Sequence, residues 1–168
     1  SEATDWRVLG VDPGTLHMGV GVVDEVVGGL AFAYSCVLSP AKSGRLSERL
    51  HYLHGRILAL IRELEPTVVA VEEPFVARNV RAAMAVGQAQ AVAMVAAEQC
   101  GLSVFGYSPR EVKMAVTDYG GASKAQVKEM VGVLLGLSDK PSQPYDATDA
   151  LAVAICHLSA ARVHELAI

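Results

Sequence analysis

The stretch TVVAVE, Thr67 to Glu72, constrains the fold more than any other segment of this chain. Four consecutive apolar residues without alternation make a strand only where the sheet is covered on both faces, the arrangement of α/β chains with helices packed on each side. The run then ends on an acid. An ionised carboxylate at the end of a doubly buried strand is costly to desolvate, so a partner or a cation must offset it. Asp12 closes WRVLGVD in the same way, and Asp146 and Asp149 open the helical stretch YDATDALAVAICHL. Carboxylate oxygens are the ligands of hard divalent cations, so four acids in these places make a candidate one- or two-metal phosphodiester site.

The remaining pattern supports a mixed sheet. Arg7 to Val11 and His17 to Val23 read as a strand pair around the turn Asp12-Pro13-Gly14, and Leu30 to Leu38 follows as a third strand after Gly28-Gly29. Leu46, Leu50, Leu53, Ile57, Leu60, Ile61 and Leu64 recur at helical spacing until Pro66, and an Ala-rich helix is expected from Val80 to Gln99. Leu102 to Gly106 is the fifth strand. Ser108-Pro109 and Ser123 start two shorter helices, and the last helix runs from near Tyr145 to about Leu166. Three antiparallel strands followed by alternating helix and strand predict an α/β fold, a five-stranded mixed sheet with helices on both faces, in a single domain spanning 1–168.

Composition sets the compartment and narrows the partners. Cys36, Cys100 and Cys156 are odd in number and lack metal-ligand spacing, so they read as buried thiols in a reducing cytoplasm. The longest apolar run, near residues 91 to 97, is short of the roughly 20 residues of a bilayer span, and Ser1 to Trp6 lacks a basic-then-apolar signal pattern, so no membrane is expected. A net charge of −4 argues on its face against nucleic acid. If a metal neutralises four of the 18 acids, however, the 14 that remain balance the 14 Lys and Arg, and the placement of the basic residues decides. Arg78, Arg81, Arg110, Lys113, Lys124 and Lys128 cluster in sequence around the acids as a possible phosphate track, and Phe75 is placed to stack on an unpaired base.

Each acid also has a plainer reading. Asp146 fits a helix N-cap with Asp149 as its capping-box partner, and Asp12 fits the first position of an Asp-Pro-Gly turn. Glu72 is followed by Glu73, and since alternate strand residues face opposite sides, only one of them points into a site; Glu72 is the choice. The five histidines form no ligand pattern and are given no role. The segment Asp12-Pro13-Gly14-Thr15 also resembles the phosphate turn of actin-like and sugar-kinase ATPases, a fold that needs a second such domain.

The segments VLGVDPGTLHMGVGVVD, VVAVEEPFVARN, YSPREVKMAVT, GASKAQVKEMV and YDATDALAVAICH, in this order and at these intervals, resemble the RuvC family of bacterial Holliday junction endonucleases. The resemblance covers nearly the whole chain and implies a ribonuclease H-like fold. It implies that Asp12, Glu72, Asp146 and Asp149 bind catalytic Mg2+ or Mn2+, two per site. It further implies that Phe75 is the aromatic at the junction centre and that Lys113 and Lys124 contact DNA, to which the clustering of basic residues adds Arg78. Glu73 and Pro74 depart from other members next to that loop. The expected activity is resolution of four-way junctions by paired symmetric nicks in recombination and repair. A homodimer pairing through the Val80–Gln99 helix would match the junction's two-fold symmetry. Partnership with the RuvA and RuvB branch-migration proteins is implied by the resemblance alone. The competing readings are a YqgF-type ribonuclease H-like nuclease acting on structured RNA, and a junction-binding protein without catalysis.

Overall fold

The computed structural model describes residues 6–74 and 79–166. Five strands, β1 (Trp6–Asp12), β2 (Met18–Val26), β3 (Gly29–Leu38), β4 (Val68–Glu72) and β5 (Val104–Tyr107), form one sheet in the order β3-β2-β1-β4-β5. The first three strands pair antiparallel, while β4 runs parallel to both β1 and β5. The helices are α1 (Leu46–Leu64), α2 (Val80–Gln99), α3 (Pro109–Thr117), α4 (Lys124–Leu134) and α5 (Tyr145–Leu166). This is the mixed α/β sheet that the strand and helix pattern predicts.

Alternation along the strands builds two cores. Val8, Val68 and Ala70 face α3, α4 and α5, whereas Leu9, Val11, Val69 and Val71 face α1 and α2. The buried parallel pair β1 and β4 is in register from Val8 opposite Val68 to Val11 opposite Val71. Asp12 and Glu72 therefore end adjacent strands at the same level. By the same alternation both share the α5 side with Val8, Gly10, Val68 and Ala70.

Helix starts follow their capping chemistry. The Ser108 hydroxyl accepts from the Glu111 backbone N–H, the Ser123 hydroxyl does the same for Gln126, and Asn79 Oδ1 accepts from Ala82 at the head of α2. Glu65, in the left-handed region at φ 50°, and Pro66 end α1. At the end of the sheet away from the acids, the Arg7 guanidinium donates to both oxygens of the buried Asp24 (2.7 and 2.9 Å) and to the Leu64 carbonyl, tying β1 to β2 and α1.

Two expectations need correction. Of the three cysteines only Cys156 is buried; Cys36 and Cys100 are half-buried because they lie where the sheet and α2 meet solvent. The second concerns α2, which by length and mean hydropathy (1.3) is able to cross a bilayer, although no uninterrupted apolar run in it is long enough to signal this. Its hydropathy comes from alanine. Here Ala89, Ala93, Ala96 and Ala97 pack into the core against β4 and α1, so the helix has a structural role in the domain that accounts for those residues.

Candidate metal centre and nucleic-acid cleft

Helix α5 lies directly on the sheet, and glycines make that possible. A Cβ on Gly10 would overlap the Ala150 carbonyl oxygen, and one on Gly19 would overlap the Asp146 carbonyl oxygen and press on the Asp12 side chain. The bare backbone at these two points lets the first turn of α5 settle over the ends of β1 and β2. Asp146 and Asp149, three residues apart, share the helix face turned toward Asp12. One carboxylate oxygen from each of Asp12, Asp146 and Asp149 lies within 4.8 Å of the others. Asp146 is the second residue of α5 and not its N-cap, so the capping-box reading fails, although its charge still complements the helix N-terminus.

Glu72 enters the same place from β4. Together with Asp12, Asp149, Lys113 and Lys124 it lines a cleft of about 210 Å³ whose apolar wall is Pro109, Val112, Val127 and Ala152. Glu73 takes the other side: its backbone N–H donates to Tyr107 and its side chain lies across Gly106 of β5. The choice between the two glutamates follows the strand alternation.

This apolar wall sets the electrostatics. Burial, with Glu72, Asp149 and Asp146 nearby, pushes the Asp12 carboxyl up to about 8, and burial with Asp149 nearby pushes Glu72 up to about 7. Burial also raises Asp149, opposed by Lys124, whose Nζ donates to Asp149 Oδ2 at 3.5 Å. Asp149 in turn holds the Lys124 ammonium above its ordinary value. Neighbouring acids that resist ionisation without a counter-charge are what a site built for a divalent cation requires, and an all-oxygen donor set suits Mg2+ or Mn2+. The residues present therefore fit such a metal.

The basic track is only partly realised in the cleft. Lys113 of α3 and Lys124 of α4 line it, while Arg110 lines a separate apolar cavity beside Tyr107, Met114 and Cys156. Phe75 and Arg78 lie outside the described residues. Sequence reasoning gave Gly19 no part, since a glycine in an apolar strand carries no chemical signal; its spacing from Gly21, which also contacts α5, was the available hint. It also missed His157, buried in α5 with its Nδ1 2.7 Å from the Tyr107 hydroxyl and its pKa lowered by that burial.

The profile of the family described as crossover junction endodeoxyribonuclease RuvC matches residues 8–157. The chain belongs to the RuvC family. It is 46% identical over 153 residues to the RuvC of Dehalococcoides mccartyi, covering 91% of this chain and 92% of that one. With the RuvC of Desulfitobacterium hafniense it is 48% identical over 152 residues, covering 89% and 90%. Among solved structures, Thermus thermophilus RuvC in complex with a Holliday junction substrate superposes with a TM-score of 0.87 at 36% identity, over 95% of this chain and 96% of that one. The yeast mitochondrial Holliday junction resolvase Ydc2, 14% identical, shares the fold with a TM-score of 0.68 over 96% of this chain and 82% of its own. The chain thus has the mixed α/β sheet expected from its strand order and the ribonuclease H-like fold that the family resemblance implies.

Proposed function

We propose that this RuvC-family chain is a metal-dependent endonuclease that resolves Holliday junctions by paired symmetric nicks during recombination and repair. The observation that carries the reading is the convergence of Asp12, Asp146 and Asp149 within 4.8 Å, at a cleft that Asp12 and Asp149 line together with Glu72 and two lysines. Asp12 belongs both to that close group and to the cleft lining with Glu72, so it is placed to bridge two cations. One would be held by Asp12 with Asp146 or Asp149, and the other by Asp12 and Glu72. When bound, Mg2+ or Mn2+ supplies activation of water and relief of charge on the scissile phosphate.

The chain's own residues contribute the rest. The described cleft lining contains no Ser, Cys, His or Tyr, and in this reading its carboxylates are engaged as metal ligands, so water is assigned as the nucleophile that cuts the phosphodiester. Lys113 and Lys124 place positive charge beside the acids, where they hold the strand's phosphates, and Lys124 also orients Asp149 through their hydrogen bond. Val112, Val127 and Ala152 exclude bulk water from one side, which strengthens every charge interaction in the cleft. Phe75 is assigned to the junction DNA on the family resemblance, and Arg78, three residues on, by its place among the basic residues that follow β4 in sequence.

The four-way substrate has two-fold symmetry, so two nicks call for two sites related by a matching axis. Helix α2 supports a homodimer: Val80, Met84, Met94 and Val95 are exposed on it, and an apolar groove with Leu50 of α1 runs beside Ala91 and Val92. Residues 1–168 then act as one nuclease domain working in the cytoplasm with the RuvA and RuvB proteins. The deciding experiment incubates labelled four-way DNA, linear duplex and structured RNA with Mg2+, Mn2+ or EDTA. Symmetric, metal-dependent nicking of the four-way DNA alone is expected. RNA cleavage, or junction binding without cutting in any metal, rejects the reading.

A further inference from the structure

We propose that Lys128 and Lys140 form a second phosphate contact, outside the catalytic cleft, that grips a DNA arm as it leaves the metal centre; this rests on the junction-nuclease reading above. Lys128 Nζ lies 4.7 Å from the centre of the Tyr145 ring, and Lys140 Nζ lies 4.9 Å from that of Phe32. Both lysines line one cavity of about 100 Å³, together with Ser142, Gln143 and Thr148. Among the described residues neither lysine has a carboxylate partner, in contrast to Lys124 with Asp149. A ring face holds an ammonium in place without neutralising it, so its N–H donors stay available for an incoming anion and less side-chain entropy is lost on binding.

The position suits a strand that has just passed the acids. Lys124 and Lys128 are one turn apart on α4, about 6 Å along the helix axis. A DNA strand that meets Lys124 therefore brings a neighbouring phosphate within reach of Lys128. Tyr145, under Lys128, directly precedes Asp146, which fixes this contact to the same helix end as the metal ligands. Ser142 and Gln143 add neutral donors, and no group in the cavity lining is negative. Such a surface binds the sugar–phosphate backbone without reading bases.

The test is fluorescence anisotropy of four-way DNA in EDTA across a salt series, comparing wild type with Lys128→Gln, Lys140→Gln and the double variant. The slope of log affinity against log salt should become shallower by about 1 for each single variant and about 2 for the double. Lys128→Arg, which keeps the charge, should keep the wild-type slope. If the double variant melts early, Lys140→Gln decides, because Lys140 is exposed and outside any helix. Wild-type slopes in the variants, with wild-type protein binding and cutting normally, overturn the arm contact alone. Failure of the wild-type protein to bind four-way DNA overturns both this contact and the function on which it rests.

Discussion

Gly19 lies beneath the Asp146 backbone so closely that a single methyl group there would collide with the Asp146 carbonyl oxygen. The proposed ligands Asp146 and Asp149 on α5 are therefore held at their distance from Asp12 by the absence of a side chain on the neighbouring strand. Gly19→Ala should force the first turn of α5 away from β1 and cost about 1 to 3 kcal/mol in stability. Displacement of this order at a reacting centre lowers rate by about 100-fold. Calorimetry of Mn2+ binding should show the weakened site directly. Gly29→Ala, where a Cβ meets nothing, should change neither, and equal effects of the two substitutions would remove Gly19 from the argument.

Protons and metal compete for the same oxygens. Asp12 at about 8 and Glu72 at about 7 lie above their ordinary values of 3.8 and 4.5. Between the ordinary and raised values the folded state binds more protons than the unfolded one, so metal-free stability falls as pH rises through that window. The metal-free protein should melt higher at pH 5 than at pH 8.5, and Mg2+ or Mn2+ should raise the melting temperature at pH 8.5 far more than at pH 5. A metal-induced shift equal at both pH values would show that these two carboxyls are not the ligands.

Removing single ligands should separate catalysis from binding. Asp12→Asn, Glu72→Gln and Asp149→Asn each delete several kcal/mol of metal-assisted stabilisation, on the order of a thousand-fold in rate. Junction binding in EDTA should persist. Because Asp12→Asn also relieves repulsion in the metal-free cluster, that variant should melt above wild type without metal. Normal cutting by all three would refute the site assignment.

Lys124 acts on the acids and, in the proposed function, on DNA as well. Its ammonium opposes the rise in Asp12, Glu72 and Asp149, so Lys124→Ala should move the pH at which metal binding sets in upward. It should also weaken junction binding and make its salt slope shallower by about 1. Lys128→Gln should reproduce the slope effect without the pH effect, since Lys128 does not line the cleft.

The doubly buried strands, and the side of β4 that carries an acid into the cleft, were legible because burial and alternation are local properties of TVVAVE. The face shared by Asp146 and Asp149 was legible for the same reason, as a three-residue helical spacing. Phe32 beneath Lys140 was not, because the two residues are brought together by the fold across more than half the chain. Arg110 illustrates the opposite error: three residues before Lys113, its side chain still lines a different cavity, so proximity in sequence does not specify which cavity a long side chain enters. The raised Asp12 carboxyl was equally hidden, since its apolar surroundings come from α3, α4 and α5 at once.

Because Val11 is opposite Val71, the two carboxylates that follow them begin from backbones one inter-strand spacing apart, about 4.8 Å. Paired catalytic cations sit about 3.5 to 4 Å from one another. If two cations bind as proposed, the hydrogen-bond ladder of the parallel sheet would act as the ruler for their separation, one that loops and helices can vary around without recalibrating.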